Sequence, residues 1–425
     1  MTIGFTDIKG MLHADEVSLH DIAAKYSTPT YVYSASKIRD TVSRLQKAFA
    51  KALPTESQPL IAFACKANSN IAVLKLMSGM GLGADIVSFG EMARAVKAGI
   101  HPRKIIFSGV GKTDDEILAA LDAGILQINA ESRPELERIA ALAAKARKKA
   151  PVSLRFNPDV DAKTHAKITT GKTENKFGMP LTEILSLYEW AANQPSLRPR
   201  GFSVHIGSQL TTVEPFRQAF GKLAELAKTV LSKGLPLESL DLGGGLGVTY
   251  NAETPPDLDA YAAIVKELIL PFGVQMVFEP GRLLVGEAGL LLTKVIYVKP
   301  GENRRYLIVD AGMNDLIRPA LYDAYHPIRP VDAGTKRPIS KYDVVGPICE
   351  TGDTFAKDRE MPEMKDGELA AIMVAGAYGF VMASNYNTKP MAAEVLVDGN
   401  RHALIRQRQS VQDILEKESI PGWLT

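Results

Sequence analysis

Eight short apolar runs alternate with helical patterns between residues 60 and 279 of this chain. The runs are LIAFACK (60–66), ADIVS (84–88), KIIFS (104–108), ILQIN (125–129), VSLRF (152–156), GFSVH (201–205), SLDLG (239–243) and QMVFE (275–279). Such runs, bounded by polar or turn residues, predict buried strands. The patterns at 90–99, 114–124 and 135–149 predict helices between them. Eight strands alternating with helices predict an α/β fold, a (β/α)8 TIM barrel.

The sequence beyond residue 286 predicts a second domain of a different kind. Strand-like runs occupy 290–300, 304–312, 368–378, 392–399 and 401–407, and few helical patterns intervene. We therefore predict a barrel domain at 30–286, followed by a C-terminal, mostly antiparallel β domain at 287–425. We expect the N-terminal residues 1–29 to join the β domain.

The charge balance and the histidine spacing argue against several classes of partner. With 50 basic and 48 acidic residues, the net charge of +2 gives no reason to expect nucleic acid or a membrane surface as a partner. The densest basic run, KARKKA at 145–150, is typical of the solvated end of a helix. The seven histidines show no metal-binding spacing, so no metal is expected.

The cellular compartment follows from the N-terminus and the cysteines. The N-terminal sequence MTIGFTDIKGML lacks the basic and apolar regions of a signal peptide, and no apolar stretch approaches the length of a membrane helix. Two cysteines, Cys65 and Cys349, do not make a disulfide framework in a chain of 425 residues. We therefore expect a protein of the reducing cytoplasm.

Polar side chains and glycines gather at the ends of the predicted strands. Lys66 ends the first strand, His205 the sixth and Glu279 the eighth, while the seventh strand runs into the glycines GGGLG at 243–247. Asp85 lies within the second strand. Because the C-terminal face of a barrel carries the active site, these residues predict a catalytic site on that face.

The glycine run is interpreted as a phosphate site. Consecutive glycines let backbone N–H groups approach an anion without a Cβ in the way, and a phosphate site after strands seven and eight recurs in such barrels. The sequence GGGLGVTY lacks the spacing and the following helix of a dinucleotide site. A plain tight turn is the alternative.

The role of Lys66 decides the chemistry. An amine that forms an imine with a carbonyl cofactor, beside a phosphate site and an acid for a ring nitrogen, describes pyridoxal phosphate. The alternative is a structural lysine paired with Asp85 or Glu279. Cys65 precedes Lys66 in the predicted strand, so alternation directs its side chain to the opposite face, where we expect it to pack.

Eight motifs, in order along nearly the whole chain, resemble the diaminopimelate decarboxylase family. The motifs are FACKAN, ADIVSFGE, HIGSQ, DLGGGLG, EPGR, RPALYDAYHPI, GPICETGD and AGAYGFVMASNYN. This family is a branch of the fold-type III pyridoxal phosphate enzymes and is related to ornithine and arginine decarboxylases. The resemblance implies that meso-2,6-diaminopimelate loses carbon dioxide and forms L-lysine, the last step of lysine biosynthesis, with pyridoxal 5'-phosphate as cofactor.

The resemblance also implies a cofactor site in the barrel. Lys66 would bond to the cofactor, His205 would stack on its ring, and Glu279 would pair with the ring nitrogen. Without a cofactor, a lone histidine at a strand end is most often structural. The other cofactor-binding residues would be Asp85, Ser208, Gly243, Gly244, Gly245, Pro280, Gly281, Arg282 and Tyr378, most of them around the phosphate.

A substrate site and a second subunit follow from the same resemblance. The substrate-binding residues would be Arg282, Arg318, Tyr322, Glu350 and Tyr378. The first three would bind the distal carboxylate, Glu350 would bind the distal ammonium, and Cys349 would return a proton to the carbon that has lost carbon dioxide. In this family the CETGD loop reaches the neighbouring subunit, so a homodimer is expected, with Cys349 and Glu350 in the partner's site.

The family's STG triplet reads TTG here, at 169–171 within a long polar stretch at 156–180, and it retains a hydroxyl.

Three alternatives remain open. The first is the same chemistry on ornithine, arginine or a carboxylated polyamine, and the Arg318 and Tyr322 motif argues against ornithine and arginine. The second is a non-catalytic pyridoxal phosphate carrier, although small carriers have neither a β domain nor CETGD. The third is an amino-acid racemase, which would need a second base and would lack CETGD.

Overall fold

The computed structural model describes residues 2–160, 177–302, 304–332, 334 and 337–424. It divides into two compact units. The β unit comprises Met1–Asp40, Tyr250–Ala252 and Val285–Thr425, and the barrel unit comprises Thr41–Thr249 and Glu253–Leu284. The TTG triplet lies at 169–171, outside the described residues. The domain limits 30–286 and 287–425 stay a prediction.

The chain begins with a small sheet and two helices. The elements are β1 (Phe5–Ile8), β2 (Met11–Ala14), β3 (Val17–Ser18), α1 (Leu19–Tyr26), β4 (Thr30–Ser34) and α2 (Ala35–Ala52). Strands β1, β2 and β3 form an antiparallel three-stranded sheet. Helix α1 begins after Ser18, whose hydroxyl accepts a 3.1 Å hydrogen bond from the N–H of His20. This contact satisfies one of the unpaired donors at the helix start.

Eight parallel strands close into the predicted barrel. They are β5 (Leu60–Ala64), β6 (Gly83–Ile86), β7 (Ile105–Phe107), β8 (Gln127–Ala130), β9 (Ala150–Phe156), β10 (Leu197–Val204), β11 (Ser239–Asp241) and β12 (Gln275–Phe278). Their order around the barrel is β10-β11-β12-β5-β6-β7-β8-β9. The (β/α)8 prediction is therefore confirmed, with a strand at each of the eight predicted positions.

Helices follow the barrel strands along the chain. They are α3 (Ile71–Gly79), α4 (Phe89–Lys97), α5 (Asp114–Ala123), α6 (Arg133–Lys145), α7 (Leu181–Ala192), α8 (Glu214–Ser232), α9 (Leu258–Leu268) and α10 (Arg282–Val285). Helices α4, α5 and α6 confirm the three predicted patterns. The start of α5 is set by a capping box, in which Thr113 and Glu116 each accept a hydrogen bond from the other's backbone N–H.

The barrel strands bury both an apolar cluster and a polar one. Ala62, Ile106 and Val277 form the apolar cluster. Polar side chains that are at most 2% exposed lie on β8 and β11, namely Gln127, Asn129, Ser239 and Asp241. Buried polar groups require hydrogen-bond partners, so this second cluster must be organised by specific contacts.

The rest of the β unit is built from eight strands and two short helices within the described residues. They are β13 (Gly289–Pro300), β14 (Arg305–Val309), α11 (Arg318–Tyr322), β15 (Ile328–Pro330), β16 (Ile339–Val345), β17 (Thr354–Pro362), β18 (Leu369–Ile372), β19 (Ala393–Asp398), β20 (Arg401–Arg406) and α12 (Val411–Leu415). The long strand β13 pairs antiparallel with β4, β14 and β18, whereas β4 pairs parallel with β19. A mostly antiparallel β region is thus confirmed.

Strand β4 separates two apolar cores of the β unit. Tyr31 and Tyr33 pack into one core and Val32 into the other, as alternation along a strand requires. The predicted strand at 368–378 is wrong in its second half, since β18 ends at Ile372. Val374 and Tyr378 both have φ of 56°, a left-handed conformation that breaks the extended strand geometry.

Candidate active site

Lys66 follows a barrel strand rather than ending it. Strand β5 stops at Ala64, and Cys65–Ala67 form one turn of 3₁₀ helix. The alternation argument for Cys65 is therefore wrong, although Cys65 is fully buried. The turn presents Lys66 to the next strand, where its Nζ donates a 2.8 Å hydrogen bond to Oδ2 of Asp85.

Asp85 is a buried carboxylate with one oxygen unsatisfied. It is 0% exposed, and its Oδ1 has no hydrogen-bond partner among the described atoms. Glu91, which the sequence analysis did not select, lies close enough to interact electrostatically with Lys66 and Asp85. Burial raises the pKa of Glu91 to about 7, and the negative charge of Asp85 adds to this shift. Three titratable groups therefore meet at the end of β5 and β6.

His205 follows β10 and accepts a 3.2 Å hydrogen bond at Nδ1 from the N–H of Gly244. Burial, together with the positive charges of Arg155 and Lys66, holds the pKa of His205 well below its usual range. The imidazole is therefore neutral near pH 7, with its ring orientation held by the glycine segment.

The glycine segment passes close to neighbouring backbone. A Cβ on Gly244 would lie 2.2 Å from the carbonyl oxygen of Glu279, and one on Gly245 would lie 2.6 Å from that of Gly207. Gly243 and Gly245 also have positive φ, of 64° and 112°. The N–H groups of Gly243 and Gly244 donate to Asp241 and His205. A larger residue at these positions would push the segment away from the strand ends.

Ser208 and Arg282 form a polar contact beside the glycines. Arg282 is 5% exposed, and its Nε and Nη2 donate to Oγ of Ser208 at 3.3 and 3.1 Å. The carbonyl of Pro280 accepts a 3.2 Å hydrogen bond from the N–H of Ala64, which ties this segment to the end of β5. A Cβ on Gly281 would meet the Cβ atoms of Ala64 and Ala67 at 3.1 Å.

Glu279 is the acidic end of the barrel site. It is 8% exposed, it hydrogen-bonds Asp241, and Nδ2 of Asn129 lies 3.5 Å from its Oε1. Burial, Asp241 and Asp85 raise the pKa of Glu279 well above its usual range. Asp241 and Asn129 were missed by the sequence analysis. Their signal was a polar residue inside an otherwise apolar strand.

The barrel residues fit pyridoxal phosphate. The amine of Lys66 suits an aldehyde, the guanidinium of Arg282 beside the glycine segment suits a phosphate, and the carboxyl of Glu279 suits a ring nitrogen. The unsatisfied Oδ1 of Asp85 is a further acceptor beside the amine. The donor and acceptor types match a ligand with an anionic end, a carbonyl and a basic ring atom.

Arg318 is anchored within the β unit. It is 7% exposed, its Nη1 donates to Nε2 of His326 at 2.9 Å, and its guanidinium lies 4.7 Å from the ring centre of Tyr250. Nδ1 of His326 donates in turn to the carbonyl of Met373 at 2.8 Å. Two donors cannot face each other, so His326 is neutral with its proton on Nδ1. His326 and Tyr250 were not selected from the sequence.

Tyr322 and Tyr378 are both partly buried. Tyr322 ends α11, four residues after Arg318, so the two residues lie on one face of that helix. Tyr378 lies in the irregular segment after β18, with φ of 56°. A non-glycine residue in this conformation points to local constraint.

Cys349 and Glu350 lie on an exposed loop between β16 and β17. The N–H of Cys349 donates to Oδ1 of Asn387 at 2.8 Å, and the hydroxyl of Tyr386 hydrogen-bonds Glu350. Asp353 closes the loop, because its carboxylate accepts the N–H groups of Met313 and Ile348 at 2.6 and 2.7 Å. The two side chains are therefore presented outward on an ordered turn.

The chain is similar to a known protein family and, along nearly its whole length, to named proteins. The model described as "Pyridoxal-dependent decarboxylase, pyridoxal binding domain" matches residues 39–286. Diaminopimelate decarboxylase from Pseudomonas aeruginosa is 49% identical over 96% of this chain and 97% of its own length. The enzyme of that name from Zymomonas mobilis is 47% identical over 99% and 100%.

A solved structure gives the same likeness in three dimensions. The crystal structure of diaminopimelate decarboxylase from Helicobacter pylori complexed with L-lysine has a TM-score of 0.89 and is 42% identical. The match covers 94% of this chain and 98% of that one. Fold and sequence therefore point to the same group of proteins along both units.

Proposed function

Because the chain belongs to the diaminopimelate decarboxylase family of pyridoxal-dependent decarboxylases, we infer that it removes carbon dioxide from meso-2,6-diaminopimelate and forms L-lysine. The observation that carries this conclusion is the identity of 47% and 49% to proteins of that name over nearly the whole of both chains. The activity is the last step of lysine biosynthesis, and its cofactor is pyridoxal 5'-phosphate.

We propose that the cofactor is held by the residues that the sequence analysis predicts. Bound pyridoxal phosphate supplies an electron sink for the electron pair that a departing carboxylate leaves behind. Lys66 would hold the aldehyde end, with Asp85 orienting its amine, and His205 would lie against the ring as a neutral imidazole. The residues proposed around the phosphate are Ser208, Gly243, Gly244, Gly245, Pro280, Gly281, Arg282 and Tyr378.

The internal hydrogen bonds of the glycine segment refine this assignment. The N–H groups of Gly243 and Gly244 donate to Asp241 and His205. The proposed role of these two glycines is therefore to hold the glycine segment in the shape that receives the phosphate. We assign the direct phosphate contacts to Gly245, Gly281 and the Arg282–Ser208 pair. A phosphate oxygen accepts strong hydrogen bonds from a guanidinium.

Selection of the substrate is proposed for four of the residues that the family resemblance indicates. Arg318, together with Arg282 and Tyr322, would bind the distal carboxylate, and Glu350 would bind the distal ammonium. The burial of Arg318 supports this role. His326 supports it as well, because a neutral imidazole accepts a hydrogen bond from the guanidinium without cancelling its charge. A substrate without a distal carboxylate would not supply the anion that this guanidinium is proposed to bind, and a site rejects an analogue that lacks such a group.

Cys349 is proposed to return the proton after carbon dioxide has left, in the site of a partner subunit. Both Cys349 and Glu350 are exposed on this chain, which supports a homodimer in which the loop reaches across. We also propose that the enzyme acts in the cytoplasm. No helix of the described residues is long and apolar enough to cross a membrane.

Carbon dioxide release from the purified protein with added pyridoxal phosphate tests this function. Meso-diaminopimelate, ornithine, arginine and carboxynorspermidine are supplied separately, and the product is identified. Release from meso-diaminopimelate with formation of lysine is expected. Release only from another amine would retain the chemistry and overturn the roles of Arg318, Tyr322 and Glu350.

A further inference from the structure

Asp241 is a fully buried carboxylate that three donors hold in place. Its Oδ2 accepts hydrogen bonds from Nε2 of Gln127 at 3.1 Å and Nδ2 of Asn129 at 3.2 Å, and its Oδ1 accepts one from the N–H of Gly243 at 3.1 Å. The two amides are fixed in turn, since Gln127 donates to Asn129 and accepts from Ser239. Donors directed at a carboxylate favour its ionised form.

The fourth contact of Asp241 is with Glu279, a second buried carboxyl. Two carboxylates in contact cannot both ionise easily, so one of them keeps a proton. Asp241 has three further donors, whereas among the described residues Glu279 has the 3.5 Å approach of Asn129 alone. The proton therefore lies on Glu279, which donates to Asp241. In agreement, burial raises the pKa of both carboxyls, and the contact with Asp241 raises the pKa of Glu279 further. The contact with Glu279 and the donated hydrogen bonds instead act to lower the pKa of Asp241.

Other titratable groups also act on this pair. Asp85 adds negative charge near both carboxyls, Lys66 opposes it at Glu279, and Tyr261 on α9 faces Asp241. Burial and the charge of Asp241 raise the pKa of Tyr261, so it is neutral near pH 7. Among the described residues, the charge next to Glu279 is thus set chiefly by Asp241.

We propose that Asp241 is a positioning residue that keeps a proton between Glu279 and the ring nitrogen of the cofactor. This inference rests on the proposed function, because it takes Glu279 as the partner of that nitrogen. The negative charge of the buried Asp241, in contact with Glu279, disfavours loss of the shared proton to solvent. Gln127, Asn129 and Gly243 keep Asp241 ionised and in place for this role.

Nitrogen NMR of the holoenzyme tests the proposal directly. The enzyme is loaded with pyridoxal phosphate labelled with ¹⁵N in the ring, whose chemical shift distinguishes a protonated from an unprotonated nitrogen. In the wild type we expect a protonated nitrogen from about pH 6 to about pH 9. In Asp241→Asn we expect the proton to be lost at a pH lower by about one unit or more, the size of effect that a nearby charge produces.

Asp122→Asn is the matched control. It removes the same charge from an exposed position in the barrel unit, where Asp122 pairs with Lys148, and its titration should follow the wild type. Equal titration of the wild type and Asp241→Asn, in an enzyme that forms lysine, would overturn the role of Asp241. Absence of lysine formation by the wild type would instead overturn the proposed function.

A second measurement does not depend on the folding of Asp241→Asn. The cofactor-free full chain near pH 7 should show an infrared carbonyl band of a protonated carboxyl that Glu279→Gln removes. The difference between the spectra of the wild type and Glu279→Gln separates the carbonyl band of Glu279 from those of other buried acids. A band that persists unchanged in Glu279→Gln would show that the proton is not on Glu279 and would overturn the inference.

Discussion

Lys66 Nζ lies 2.8 Å from Oδ2 of Asp85, and the lysine side chain remains 37% exposed while the aspartate is fully buried. The contact arises because Ala64 and Asp85 are register partners on neighbouring strands, so the turn after β5 starts level with Asp85. This ion pair agrees with the alternative in which Lys66 is a structural lysine paired with Asp85. The lysine side chain is nevertheless exposed enough for its amine to react with a carbonyl group. Substitution separates the two roles.

Lys66→Ala should abolish lysine formation and the absorption band of the bound cofactor, because no other amine would bond to the aldehyde. Absorbance and product analysis check this. Lys104→Ala is the control, since Lys104 precedes β7, at the opposite end of the barrel strands, and donates to the carbonyl of Gly81. An active, yellow Lys66→Ala variant would restrict Lys66 to its ion pair.

Cys349→Ala should slow lysine formation by about 100-fold or more, a typical contribution of a proton donor, without weakening cofactor binding. Turnover and a cofactor titration measure the two effects. Cys65→Ala is the matched control, because Cys65 is buried beside the proposed site and is expected to matter only for packing. Unchanged turnover in Cys349→Ala would remove this thiol from the mechanism.

A mixture of the two inactive variants tests whether the CETGD loop acts on the partner's site. Random exchange between Lys66→Ala and Cys349→Ala dimers gives hybrids in which one site of two has both residues. About a quarter of wild-type activity should then return, as expected for a symmetric dimer with shared sites. If activity stays at the level of the separate variants, Cys349 serves its own subunit.

Arg318→Lys should lower kcat/KM for meso-diaminopimelate by about 10- to 100-fold, because a point charge replaces the fork that pairs with a carboxylate. The affinity for pyridoxal phosphate should not change. Arg217→Lys, at a partly exposed helix position where the arginine pairs with Glu267, is the control. Equal kinetics for Arg318→Lys and the wild type would place recognition of the distal carboxylate elsewhere.

Asp315 makes the stability of the β unit depend on pH. Burial raises its pKa to about 7 from an ordinary 3.8, so between these values the folded state binds a proton that the unfolded state releases. The free energy of unfolding therefore falls as pH rises through this window, by a few kcal/mol, or about 1.4 kcal/mol per unit of pKa difference.

Urea denaturation at pH 5 and pH 8 checks this dependence. Asp315→Asn has no proton to lose, so it should gain stability relative to the wild type at the higher pH. Asp323→Asn, at an exposed aspartate, is the control and should change the free energy of unfolding equally at both pH values. The prediction would be contradicted if Asp315→Asn also changed the free energy of unfolding by the same amount at pH 5 and at pH 8.

The barrel was predictable because each of its strands is a local pattern. Runs such as that at 60–66 and helices such as α5 carry their apolar spacing and caps within a few residues. The errors lie where tertiary contacts override a continuous apolar run. Strand β5 stops at Ala64 so that a turn can present Lys66, and β18 stops at Ile372 before the left-handed Val374.

By itself, the sequence determined the fold class, the family, the cofactor and the residues at the strand ends, because these depend on residue types at short, ordered spacings. Only the tertiary structure decided which distant residues support them. Asp241 meets Glu279 and Gln127, and Arg318 meets His326 and Tyr250, through folding alone. The physical reason is that the ionisation of a buried group is set by its neighbours in space, which no local pattern encodes.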